Sequence, residues 1–92
     1  MKNVTLYQTK RGCKYSFMNY EYAKENLKLS DYDEVLYFTT DADLEEIFSM
    51  GNNGKLHCMF PDNRFRSISV SDIIDVDGTM YYVDSFGFKE ID

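Results

Sequence analysis

The sequence contains no tryptophan, one proline and two cysteines, and its one histidine is His57. Each scarcity narrows the possibilities. No apolar run approaches the roughly 18 residues of a bilayer span, so no membrane contact is expected. The opening MKNVTLYQTKRGCKY has no apolar signal region, which predicts a cytoplasmic protein. Cys13 and Cys58 lack the paired spacing of a zinc site and read as two reduced thiols. Pro61 stands alone, there is no low-complexity tract or internal repeat, and residues 1–92 read as one domain.

Catalytic patterns are equally thin. His57 adjoins Cys58; in the strand expected there, neighbouring side chains face opposite ways, a poor nucleophile–base arrangement. The stretch GNNGK lacks the spacing and the following Ser/Thr of a phosphate-binding loop. Asp75-Val76-Asp77-Gly78 invites a calcium-loop reading, but with Gly78 in the sixth place the first ligand would be Ile73, which cannot coordinate the ion. The pairs Asp31/Asp33, Asp41/Asp43 and Asp75/Asp77 have no basic partner at a catalytic spacing. A chain this short also has little room for a cleft of several hundred Å³. The expectation is a non-enzyme with no cofactor and no metal.

Aromatics are plentiful, with 8 Tyr and 7 Phe. A domain of this size buries only about 60–65 % of its unfolded surface, and each large ring buries on the order of 150–250 Å². Most of these rings must therefore be core. Charge is also plentiful, at a net −6, and it is unevenly spread. Residues 1–30 hold six bases against two acids, whereas residues 31–46 hold seven acids and no base. Residues 47–71 swing back to net positive, and residues 72–92 carry six acids with Lys89 alone against them. Such a balance argues against direct nucleic-acid binding, which draws its affinity from Lys and Arg on phosphates. Acidic segments suit a basic protein partner instead. Lys10, Arg11 and Lys14 beside Tyr7 and Tyr15, and Arg64 and Arg66 around Phe65, are the two small basic exceptions.

Periodicity predicts α+β architecture: a small antiparallel sheet of about five strands with two short helices. NVTLYQT alternates as a first strand, and CKYSF could pair back on it as a hairpin. A helix is expected from Asn19, its cap, with Tyr20, Ala23 and Leu27 on one face. DEVLYFTT reads as a strand too continuously apolar for an exposed edge. A second helix follows, with Thr40 and Asp43 at capping-box spacing, Leu44, Ile47 and Phe48 as its apolar face, and Gly51 at its end. LHCMF reads as a short strand and PDNR as a turn. Asp77-Gly78 signals a hairpin between Ile73–Val76 and Met80–Val83. In that last strand Tyr81 and Tyr82 must face opposite ways. Phe86, Phe88 and one tyrosine are assigned to the core, Gly87 to a bend, and Asp84 and Ser85 to the turn.

The residues become familiar in the last third. SISVSDIIDVDGTMYYVDSFGFKEI resembles the C-terminal signature of YodL-like domains. Ser67, Ser69, Val70, Ser71 and Asp72 match its first half, and the run from Tyr81 to Phe88 its second. Tyr32-Asp33 with Val35 and Tyr37 looks like the family's middle strand. The resemblance implies an origin in phages and conjugative elements of Gram-positive bacteria, and it brings no catalytic residues with it. Related modules are associated with countering restriction or CRISPR defence. The function expected is a non-enzymatic inhibitor that binds a basic nucleic-acid-handling effector such as a CRISPR nuclease, inside the bacterial host cell. Asp31, Asp33, Glu34, Asp72, Asp75 and Asp77 are the candidate contacts and Tyr82 the candidate aromatic anchor. The alternative is an accessory or regulatory module of its element, binding protein or nucleic acid.

Overall fold

The computed structural model describes residues 1–91. Five strands form one antiparallel sheet: β1 (Lys2–Thr9), β2 (Tyr32–Thr40), β3 (Ile73–Val76), β4 (Thr79–Val83) and β5 (Phe88–Ile91). Their spatial order is β2-β1-β3-β4-β5, so β1 lies inside the sheet and β2 forms an edge. Short helices α1 (Tyr20–Ala23), α2 (Leu44–Met50) and α3 (Lys55–Met59) cover it. Among the described residues no helix is long and apolar enough to cross a membrane.

The sheet has a core on each face. On one side Val4, Leu6, Leu36, Phe38 and Ile74 pack beneath Ile47 of α2 and Leu56 of α3. On the other, Tyr32, Ile73 and Tyr82 pack against Tyr15 and Ala23. Each buried aliphatic contributes roughly 1.5–3 kcal/mol relative to its exposed state.

One irregularity makes both cores possible. The register of β1 against β2 slips between Leu6 and Tyr7, so that Leu6 pairs with Leu36 but Tyr7 pairs with Glu34. Val35 is the extra residue of a β-bulge. Strict alternation would put Glu34 on the same face as Leu36 and Phe38. The bulge instead sends Tyr32 and Glu34 to the opposite face, so Tyr32 reaches the second core.

Several expectations need correction. β2 is an edge strand after all; its apolar run is divided between the helix-covered face and an exposed Tyr37. CKYSF forms successive turns, with the N–H groups of Cys13, Ser16 and Met18 donating to the carbonyls of Lys10, Cys13 and Tyr15. Tyr15 is thereby turned into the second core. LHCMF is the helix α3, in which Leu56 is buried and Phe60, four residues on, packs against the same core. That is helical spacing, which a five-residue window with one fully buried position does not separate from a strand. The capping box of α2 belongs to Asp43 and Glu46, while Thr40 Oγ1 accepts from the N–H of Ala42. Asn19 caps α1 and Gly51 closes α2 as expected.

At the Asp77-Gly78 turn both residues have positive φ, 51° and 94°. That is the two-residue turn whose twist suits a hairpin. The Asp75 carboxylate accepts from the Gly78 N–H at 2.8 Å and fixes it.

Candidate functional site

The half of the sheet that α1 leaves uncovered presents a polar face on β1, β2 and β3. Registers place Thr5, Tyr37 and Asp75 side by side across β1, β2 and β3, and Tyr7 beside Glu34. Asn3 and Thr39 continue the same face. Neither β1, β2 nor β3 contributes a lysine or arginine to it. Tyr37 is 57 % exposed, and its hydroxyl donates to Asn3 Oδ1 at 3.1 Å. Tyr7 is half-buried between the two carboxylates. Burial, followed by the charges of Glu34 and Asp75, raises the Tyr7 pKa above its ordinary 10.0, so both acids act on one ring.

The seven candidate contacts separate accordingly. Glu34 and Asp75 lie on the open face. Asp77 is exposed at the hairpin tip beside it, where its carboxylate accepts from the Asn3 N–H at 2.7 Å. Asp33 pairs with Gln8 and looks the other way, into a shallow depression shared with Arg64 and Arg66. Asp31 is half-buried and accepts from the Tyr15 hydroxyl at 2.8 Å.

Asp72 and Tyr82 are corrections. Asp72 is 1 % exposed and Tyr82 is 0 % exposed, so neither can touch a partner. Tyr82 belongs to a clasp that holds the 16–20 loop to the sheet, and Asp72 ties the segment before β3 to β1. Tyr82 donates its hydroxyl proton to the Met18 carbonyl at 2.6 Å. Ser71 Oγ accepts from the Phe17 N–H at 2.9 Å, and the Ser71 carbonyl accepts from the Tyr32 hydroxyl at 2.7 Å. Asp84 Oδ1 takes the N–H of Tyr20 and that of Ser85. Asp72 itself accepts from Gln8 Nε2 and from the Ser69 N–H through Oδ2, leaving Oδ1 buried and unpartnered. Burial pushes its pKa up to about 6, against the opposing effect of those hydrogen bonds.

The family model of the YodL-like domain matches residues 3–92. The chain belongs to the YodL-like domain family. No curated protein and no solved structure matches it. In this YodL-like domain the residues that carry the family signature are thus the ones that clasp the two halves of the chain together. Ser71, Asp72, Tyr82 and Asp84 all point inward or bind backbone. Phe86, expected in the core, is instead 94 % exposed in the turn before β5, whereas Phe88 is partly buried against Phe48.

His57 in this YodL-like domain stacks on Phe65 with ring centroids 4.2 Å apart, and its Nε2 lies 3.0 Å from the Phe65 carbonyl. It holds the 60–66 loop against α3. Among the described residues no three His, Cys, Asp or Glu side chains gather as a metal site. The two cysteines are unpaired thiols, Cys13 half-buried and Cys58 exposed.

Proposed function

We propose that this YodL-like domain is a non-enzymatic inhibitor of bacterial host defence, of the anti-CRISPR or antirestriction type, acting in the host cytoplasm. It binds a basic nucleic-acid-handling effector through the open sheet face. The observation that carries the reading is the meeting of Glu34 and Asp75 on either side of Tyr7, next to an exposed Tyr37. An exposed ion pair is worth only about 0.2–1 kcal/mol, so two carboxylates supply steering and register rather than most of the affinity. The tyrosines supply the contact area, as aromatic anchors do at interface centres. Tyr37 takes the anchoring role that the buried Tyr82 cannot.

A plasmid-challenge assay tests this in bacteria carrying a Cas9-type system, with a restriction system as the second challenge. Establishment of the targeted plasmid should rise by orders of magnitude when this protein is expressed. A Glu34→Lys/Asp75→Lys variant should lose the effect while melting as the parent does. If neither challenge responds to the parent protein, the inhibitor reading fails. A fully active charge-reversed variant would remove the acidic face from it.

A further inference from the structure

The two small basic motifs, far apart in sequence, converge around the turn that follows β1. Cys13 N–H donates to the Lys10 carbonyl across Arg11 and Gly12, and Gly12 has φ 86°, as this turn requires. A cavity of about 410 Å³ on one side of the turn is lined by Lys10, Arg11 and Arg66. A second of about 380 Å³ on the other side is lined by Lys14 and Lys28. Gly12 and Cys13 line both, so the two cavities adjoin at this turn and together make up the groove. Among the described residues none of these five cations has a carboxylate within 4.0 Å. The single acid in the lining, Asp31, accepts from Tyr15.

Each cavity also presents an exposed ring. Phe17 is 57 % exposed and Tyr22 is 56 % exposed. Phe17 is held at φ 66°, a left-handed conformation unfavourable for a bulky residue, by its N–H bond to Ser71. The strain turns the ring out to solvent, under the Arg66 guanidinium at 5.2 Å. Arg66 also reaches the carbonyl of Thr9 at 3.4 Å. Unpaired cations alternating with exposed rings along a groove are what a flexible polynucleotide needs, phosphates meeting the cations and bases stacking on the rings.

We propose that this groove binds single-stranded nucleic acid, its phosphates on Lys10, Arg11, Lys14, Lys28 and Arg66 and its bases on Phe17 and Tyr22. Net charge argues against such binding over the whole surface. The groove escapes that objection because its lining sets five cations against one acid, Asp31, and the salt screening length is only about 8–10 Å. The site stands independently of the acidic face, whose Glu34 and Asp75 line neither cavity.

The test is fluorescence anisotropy with a labelled oligothymidylate of about 15 nucleotides at about 50 mM salt. Engagement of about five phosphates predicts a log–log salt slope near −3.5, so affinity falls roughly 100-fold on going to about 200 mM. Arg11→Glu/Arg66→Glu should weaken binding at least tenfold. Lys55→Glu/Lys89→Glu, equal in charge change but outside the groove, should shift it less than about threefold, which also guards against general charge effects. Phe17→Asn, chosen because Asn tolerates the left-handed conformation, and Tyr22→Ser should weaken the oligonucleotide but leave inorganic polyphosphate binding unchanged. No anisotropy change at the lower salt overturns the proposal, as does equal damage from the two charge reversals. Indifference to both aromatic variants would make the groove a generic polyanion site and overturn the nucleic-acid assignment.

Discussion

Gln8 and Asp72 meet inside the protein across 64 positions of sequence, the Gln8 amide donating to the buried carboxylate at 3.0 Å. The same amide also donates to the Arg66 carbonyl, and its oxygen accepts from the Arg66 N–H. One glutamine thus ties the strand β1, the segment before β3 and the Arg66 loop into a single polar junction. That junction lies between the groove and the core, so its protonation state bears on the stability of the whole domain.

The pH dependence follows from Asp72. Its folded pKa, about 6, lies above the ordinary 3.8, so between those values the folded chain holds the proton more firmly than the unfolded one. The contribution of this group to stability is therefore greatest near pH 4, falls as pH rises to 6 and stays level above it. The fall is on the order of 2 kcal/mol. Asp72→Asn keeps an oxygen for both donors and removes the buried charge. Urea denaturation of both proteins from pH 4 to 7 should show the variant gaining on the parent by that amount across the window. Parallel curves would contradict the burial of this charge.

Tyr82→Phe removes only the hydroxyl that reaches Met18. The loss is about 1 kcal/mol, which lowers the melting temperature by roughly 4–8 °C in a domain of this size. Tyr37→Phe, which removes an exposed bond to Asn3, should stay within about 0.5 kcal/mol of the parent. Thermal melts of the two variants side by side distinguish a clasp from a surface contact.

Gly51 has an ordinary φ of −75°, so its role is space and not conformation. A Cβ there would overlap the Cγ1 and Cδ1 atoms of the buried Ile68. Gly51→Ala should cost about 1–3 kcal/mol although alanine is the better helix former by about 1 kcal/mol. Adding Ile68→Val removes the outermost of those atoms and should recover part of the loss. A double-mutant cycle on denaturation midpoints measures the coupling.

Phe86→Ser should leave stability within about 0.5 kcal/mol, because that ring is almost wholly in solvent. Phe88→Ala should cost about 2 kcal/mol, since it gives up the edge contact with Phe48 and part of the main core. A reversed order in chemical denaturation would contradict the turn geometry around Gly87.

Much of this fold can be read from residues with short-range consequences. The caps at Asn19 and Gly51 and the Asp77-Gly78 turn depend on side chains acting within a few positions. The assignments that failed depend on tertiary contacts. Tyr15 abandons a strand because its hydroxyl finds Asp31 and its ring the second core. The 55–59 segment becomes a helix because Leu56 and Phe60 both find the first core. For the candidate site, alternation placed Tyr81 and Tyr82 on opposite faces, but it did not reveal which face was covered. The shift at Val35 brings Glu34 beside Tyr7. It left no trace in the sequence, because Tyr32, Leu36 and Phe38 stand at even spacing, which regular alternation puts on one face. The two basic motifs stood out locally, but their convergence did not, since Arg66 joins Lys10 and Arg11 only through the fold.

The clasp also dictates when the chain can fold during synthesis. β1 leaves the ribosome first and can pair with β2 once residue 40 has emerged. Its other edge waits for β3, and the Tyr15 side of the sheet waits for Ile73 and Tyr82. Until residues 71–84 are made, the Met18 carbonyl and the N–H groups of Phe17 and Tyr20 lack the partners they have in the fold. Contacts this distant in sequence form slowly, and half-made sheets with open edges are prone to misassembly. Translation speed over the final third is therefore a handle on yield, and a pause placed before residue 71 should raise the fraction of nascent chain that a protease can cut.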